Sequence, residues 1–133
     1  MSFWKEGGLT QLAGSGDLDG VRRLLDNGVP VDFIENGRFS DSPLMEAARG
    51  GHLEVMQLLL DRGANVNHID NDCFTPVTAA GGSGQWKALR LLAEHGGDFE
   101  YADATGHCGL DYLRQCRSKQ MRKEIEDVLS SRD

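Results

Sequence analysis

The sequence predicts an all-α solenoid of stacked helix-turn-helix pairs, on three observations. First, residues 42–67 are echoed downstream. Thirty-three residues on, Pro43, Leu44, Ala47, Gly51, Leu53, Met56, Leu59 and Gly63 fall on Pro76, Val77, Ala80, Gly84, Trp86, Leu89, Leu92 and Gly96. Second, a weaker echo lies thirty-five residues back, where Leu44, Ala48, Gly51, Leu53, Met56, Leu59 and Gly63 fall on Leu9, Ala13, Gly16, Leu18, Val21, Leu24 and Gly28. Third, glycines divide each copy into two short apolar-periodic runs. Two short helices cannot bury an apolar face without neighbours, so a fixed period of this length marks a stacked repeat array.

The best-formed unit shows why each helix starts and stops. Ser42 is a good N-cap, and Pro43 suits the first helical position, where its missing N–H needs no partner. A short helix with small Ala47 and Ala48 ends at Gly50-Gly51. A second begins near Leu53, and Leu53, Met56, Leu59 and Leu60 make one apolar face. Gly63 ends it as a C′ glycine of positive φ.

In the first unit a helix near 9–13 precedes one near 18–27, with Asp17 as its cap and Gly8 where the second unit has Pro43. Gly14-Ser15-Gly16 follows no predicted strand, and no Lys-Ser/Thr pair completes a phosphate-binding loop, so these glycines are turn punctuation. Phe3 and Trp4, ahead of the first unit, either fold over its open end or meet a partner. Asn36-Gly37 between extended apolar residues signals a tight hairpin, because a type I′ turn needs positive φ at both central positions.

The third unit places Trp86 where Leu53 and Leu18 stand, which makes it a core position. Gly81 replaces the second small Ala and is expected to loosen its helix, since interior Gly costs about 0.5–1 kcal/mol relative to Ala. The last unit departs from the pattern, with Cys108-Gly109 in place of Thr-Pro and Arg117 in place of the inter-helix Gly. Its final helix is expected from Lys119 to about Leu129, with Met121, Ile125, Val128 and Leu129 facing inward. Arg114, Arg117, Lys119, Arg122 and Lys123, with no acid between them, are most simply the solvated cap of the array.

The segments Thr75-Pro76-Val77-Thr78-Ala79-Ala80, Gly51-His52-Leu53-Glu54-Val55 and Leu58-Leu59-Leu60-Asp61-Arg62-Gly63-Ala64-Asn65-Val66-Asn67 together resemble the ankyrin repeat. The resemblance spans nearly the whole chain as a single domain over 1–133, a small stand-alone protein of about four repeats at 9–33, 42–67, 75–100 and 108–130. It implies that the first and last repeats act as caps and that β-hairpin fingers protrude from the stack. It also implies structural roles for Asp70, Asp103 and His52, while Cys73 stands where the family has Gly. The concave, partner-binding face it implies comprises Glu35, Arg38, Phe39, Asp41, Glu46, Arg49, Asn71, Asp72, Phe74, Thr105, His107, Tyr112 and Gln115. Phe39, Phe74 and Tyr112 are its expected exposed anchors, although Phe39 has the alternative of tucking against the neighbouring finger.

Composition narrows function further. The net charge of −7 favours solubility and disfavours nucleic acid as a partner. Residues 26–111 carry 14 acids against 5 bases, so a protein partner with a basic surface is expected. No apolar run reaches membrane-span length, the first residues lack a signal peptide's apolar core, and three cysteines without a Cys-x-x-Cys pair suit a reduced, cytoplasmic setting. No nucleophile elbow, His-Glu-x-x-His or dinucleotide fingerprint is present. His107, Cys108 and Cys116 fall short of the four ligands of a structural zinc site. The expectation is therefore a monomeric, non-enzymatic binding protein without cofactor or metal, acting as an inhibitor, an adaptor or an immunity protein against a toxin. The alternative is a repeat subunit of a larger or oligomeric scaffold.

Overall fold

Among the described residues, helices form in four consecutive pairs. They are α1 (Leu9–Ser15) with α2 (Leu18–Asp26), α3 (Pro43–Gly50) with α4 (Leu53–Asp61), α5 (Pro76–Gly82) with α6 (Trp86–Glu94), and α7 (Gly109–Leu113) with α8 (Lys119–Ser130). The computed structural model describes residues 8–34 and 41–132. Phe3, Trp4 and the Asn36-Gly37 turn lie outside the described residues.

The helix starts follow local chemistry. Ser42 Oγ accepts from Met45 N at 3.2 Å, and Asp17 Oδ1 accepts from Gly20 N at 2.9 Å. Thr75 and Thr78 cap each other, each hydroxyl accepting the other residue's backbone N–H. This reciprocal box satisfies two of the donors a helix start leaves open. Gly63 follows α4 at φ 90°, as a terminating glycine should.

The first helices α1, α3, α5 and α7 lie side by side in one layer and α2, α4, α6 and α8 in another. Across the first three repeats the first-helix layer is the more closely packed, which curves the stack toward that side; at the last junction α8 lies closely on α6. Leu44, Met56, Leu59, Val77, Leu89, Leu92 and Ile125 are fully buried between the layers. Met121, Val128 and Leu129 pack against that core from α8, as their spacing predicts. Trp86 does the same from the start of α6, half-buried at the core's rim rather than inside it.

Side chains tie each repeat to the previous one. His52 Nε2 lies 3.0 Å from the carbonyl oxygen of Gly14. A carbonyl can only accept, so Nε2 carries the proton. One repeat on, Gln85 Nε2 donates to the carbonyl of Arg49 at 3.2 Å. At the finger base Asp32 accepts from Asn65 N at 3.1 Å, and its equivalent Asn67 accepts from Asp98 N at 2.8 Å. His52 is thus structural, as the resemblance implies.

No strand forms among the described residues, so the two described fingers are tight turns rather than β-ladders. Asp70 N donates to Phe74 O at 3.0 Å and Asp103 N to His107 O at 2.9 Å. Each turn needs one residue of positive φ: Gly106 at 85° in one, Cys73 at 64° in the other. An L-residue there is strained by roughly 1–2 kcal/mol, which the unfolded-state freedom of glycine partly offsets. Cys73→Gly is therefore expected to raise stability by about 0.5–1 kcal/mol, whereas Cys73→Ala, strained alike, gains nothing. Urea midpoints of the two variants against the parent chain check this.

Candidate functional site

The inner layer and the turns beside it carry the residues expected on the binding face, and the structure gathers most of the described ones, Gln115 excepted, into two groups. The first surrounds Arg49 near the end of α3. Its Nη1 donates to Asp41 Oδ2 and to Glu46 Oε1, both at 2.8 Å. Burial alone would lower the guanidinium's pKa, but the hydrogen bond to Asp41 and the charges of Asp41, Glu46 and Asp70 outweigh it and hold Arg49 above its ordinary value. The one base among the described residues of this group thus directs Nη1 to two carboxylates of its own chain.

Asp70 lies against the same group from the second finger turn. Its Oδ1 accepts from the backbone N–H of Asp72 and of Phe74, both at 2.9 Å. Burial and hydrogen bonding to the Asp41 carboxyl raise the Asp70 pKa above the ordinary carboxylate value, since two carboxyls can share a hydrogen bond only through a proton. Asp41 Oδ1 is buried and receives no hydrogen bond from the fixed donors around it.

The second group surrounds Asp103, the repeat equivalent of Asp70. Its carboxylate accepts the Tyr112 hydroxyl, the Thr105 hydroxyl, and the backbone N–H of Thr105 at 2.9 Å. The Thr105 hydroxyl also meets His107 Nδ1 at 2.8 Å. Because that hydroxyl donates to Asp103, Nδ1 must supply the proton to it. Burial opposes ionisation of Asp103, yet the donors from Thr105, Tyr112 and His107 together hold its pKa below the ordinary value. Ala79 stands where Tyr112 does one repeat later, so no hydroxyl arrives at Asp70.

Tyr112 corrects one expectation. It is no exposed anchor: it is 9% exposed and directs its hydroxyl inward to Asp103. Room for it comes from Gly81, where an added Cβ would stand 2.6 Å from Tyr112 Cβ. Gly81 is thus a packing necessity in a helix that continues through Gly82. Phe74 is half-buried, while Asn71, Asp72, Thr105, His107 and Gln115 are exposed. Glu35, Arg38 and Phe39 lie outside the described residues. Sequence reasoning missed the contact of Asp41 with Asp70 and the linkage of Tyr112 to Asp103. The 33-residue recurrence of Asp70 at Asp103, with Ala79 changed to Tyr112, was the available signal.

The twin aspartates differ in sign, and so do their expected pH effects. Asp103, depressed in the folded state, contributes stability that is full above the unfolded carboxyl pKa, about 3.9, and is lost as pH falls through its folded value. Asp70, raised, contributes stability that is full below about 3.9 and is lost as pH rises through its folded value. Asp70→Asn keeps the oxygen that accepts from Asp72 and Phe74 and adds an amide donor for Asp41. It should stabilise the chain by about 1 kcal/mol at pH 7, with the gain shrinking in acid. Asp103→Asn should instead cost about 1–3 kcal/mol at pH 7, and less toward pH 3. Thermal melting from pH 3 to 7 measures both.

Among the described residues no group of three or more His, Cys, Asp or Glu side chains is placed to hold a metal ion. Among them, too, no helix is long and apolar enough to cross a membrane. A family model described as ankyrin repeats in three copies matches residues 9–103. No curated protein matches the chain.

Proposed function

Because this chain belongs to the ankyrin repeat family, whose repeats are generally protein–protein interaction modules, we propose that it binds a partner protein with a basic surface through the acidic inner face. It works without chemistry of its own, as an inhibitor or adaptor, and in its most specific form as an immunity protein that covers a cognate toxin. The observation that supports this best is the state of Arg49. With its Nη1 held by both Asp41 and Glu46, its charge is offset by two carboxylates, and the exposed Asp72 leaves the face negative. A basic surface is steered to such a face and nucleic acid is repelled. In this proposal the chain is a cytoplasmic monomer when free, binding neither nucleic acid nor membrane. The expected contact set is Asp41, Glu46, Arg49, Asn71, Asp72, Phe74, Thr105, His107 and Gln115, together with Glu35, Arg38 and Phe39; Tyr112 acts from beneath by holding Asp103.

Affinity capture followed by mass spectrometry identifies the partner, and two variants then test the face. Asp72→Lys and Phe74→Ala are each expected to weaken binding at least about tenfold, the scale of an interface hot spot, with helix content unchanged. Lys87→Glu on the outer layer should leave affinity within about twofold. Parent binding should also weaken as salt rises. Equal affinity for the parent and both inner-face variants would place the contact elsewhere. A concentration-dependent dimer in sedimentation would favour the scaffold alternative.

A further inference from the structure

The face of the fourth helix pair turned away from the third carries a second surface of a different character. Leu110 repeats Leu44 and Val77, both of which are fully buried. Leu110 is instead 36% exposed, one of two exposed large hydrophobics among the described residues. Two hollows meet at its side chain. One, of about 380 Å³, is floored by Leu110 and Leu113 and edged by Arg114, Arg122 and Glu126. The other, of about 450 Å³, runs from Leu110 to Leu129 and is edged by Asp98, Glu100 and Arg132.

The two sides differ in charge. Around the first, Arg114 and Arg122 outnumber Glu126, and Arg122 Nη1 also donates to the carbonyl of Cys116 at 3.0 Å. On the second, Asp98 and Glu100 outnumber Arg132, whose Nη1 donates to the backbone carbonyl of Gly97 at 2.9 Å. A further repeat stacked in the same register is a poor fit. Arg114 occupies the position of Ala48 and Gly81, and at Gly81 even one added carbon would meet Tyr112 Cβ at 2.6 Å. The Arg114 side chain is instead 78% exposed, its guanidinium 3.2 Å from Asp111.

We propose that this face docks a short segment of a second protein bearing an apolar residue between a carboxylate and a basic side chain. The apolar residue covers Leu110, the carboxylate meets Arg114 and Arg122, and the base meets Asp98 and Glu100. This site is separate from the inner face, so the chain holds two partners at once: a basic surface along the stack and a dipolar segment on the fourth helix pair.

The test pans random 12-residue peptides displayed on phage against the full chain, with Leu110→Asp as the counter-selection. Enriched peptides are expected to flank an apolar residue with acid on one side and base on the other. Arg114→Glu and Glu100→Lys should each weaken a synthesised winner about two- to fivefold, the scale of one ion pair. A charge-swapped peptide should recover on the double variant, while Asp72→Lys on the inner face has no effect. Both reversals are at exposed positions, so the test stands even if Leu110→Asp unfolds. No enrichment over Leu110→Asp, or winners indifferent to both reversals, overturns the proposal. A sedimenting dimer that Leu110→Asp abolishes also overturns it, by giving the face to a second copy of this chain.

Discussion

Replacing Leu59 or Leu92 by Ala is expected to lower the unfolding free energy by about 2–5 kcal/mol, the range for a large aliphatic truncated inside a packed core. The two leucines are the same position in successive repeats, and neither retains any exposure. Each truncation removes apolar burial and leaves a cavity that the flanking helices cannot easily fill, because both are held by neighbours above and below. Stability in a solenoid is roughly a sum of repeat and interface terms. A defect in the middle repeats therefore weakens the junctions on either side. Gln57→Ala, on the exposed side of the same helix as Leu59, provides the contrast. Its amide donates to Asp61 at 2.8 Å in solvent, and its loss should stay within about 0.5 kcal/mol. Urea unfolding of the three variants measures the difference. If the leucine variants lost no more than the glutamine variant, the interface between the helix layers would not be the source of stability.

Gly81→Ala is expected to destabilise by about 1–3 kcal/mol, the scale of an overpacked core. The usual rule runs the other way, since Ala in place of an interior helical Gly gains about 0.5–1 kcal/mol. The sign reverses because the new methyl would stand 2.6 Å from Tyr112 Cβ. Gly14, also within a helix, shows the rule unopposed. Its added Cβ would find Glu46 Cβ at 3.4 Å, an ordinary contact, so Gly14→Ala should be neutral or stabilising. The clash at Gly81 is with a Cβ, so shortening Tyr112 to Ala does not relieve it. Tyr112→Gly does. In the Gly81→Ala background, recovery with Tyr112→Gly but not with Tyr112→Ala would identify the contact by its atoms. Equal melting temperatures for Gly81→Ala and the parent would show that α5 and α7 lie farther apart.

These two expectations mark different depths of legibility. Leu59 and Leu92 were readable from period alone, because apolar residues at helical spacing, repeated every 33 positions, must share one buried face. Ser42, Asp17, Gly63 and the start of α8 were equally readable, because capping and termination are decided within a few residues of chain. Gly81 was misread as a weakness, since its neighbour in space, Tyr112, lies 31 residues away and belongs to the next repeat. Cys73 in the left-handed region was foreseeable from its place in the finger, once Gly106 showed what the turn requires.

The sequence by itself determined the repeat, its helix boundaries, the buried stripe and the sign of the charge, all consequences of local propensity, spacing and composition. Only the tertiary structure decided how the repeated aspartates differ. Asp70 meets a second carboxyl and is raised, while Asp103 meets a tyrosine hydroxyl and is lowered. The same decision buried Tyr112 and left Leu110 bare between two charged hollows. Those outcomes depend on which side chain the adjacent repeat presents across the stack, and a repeat period fixes the position of that neighbour without fixing its chemistry.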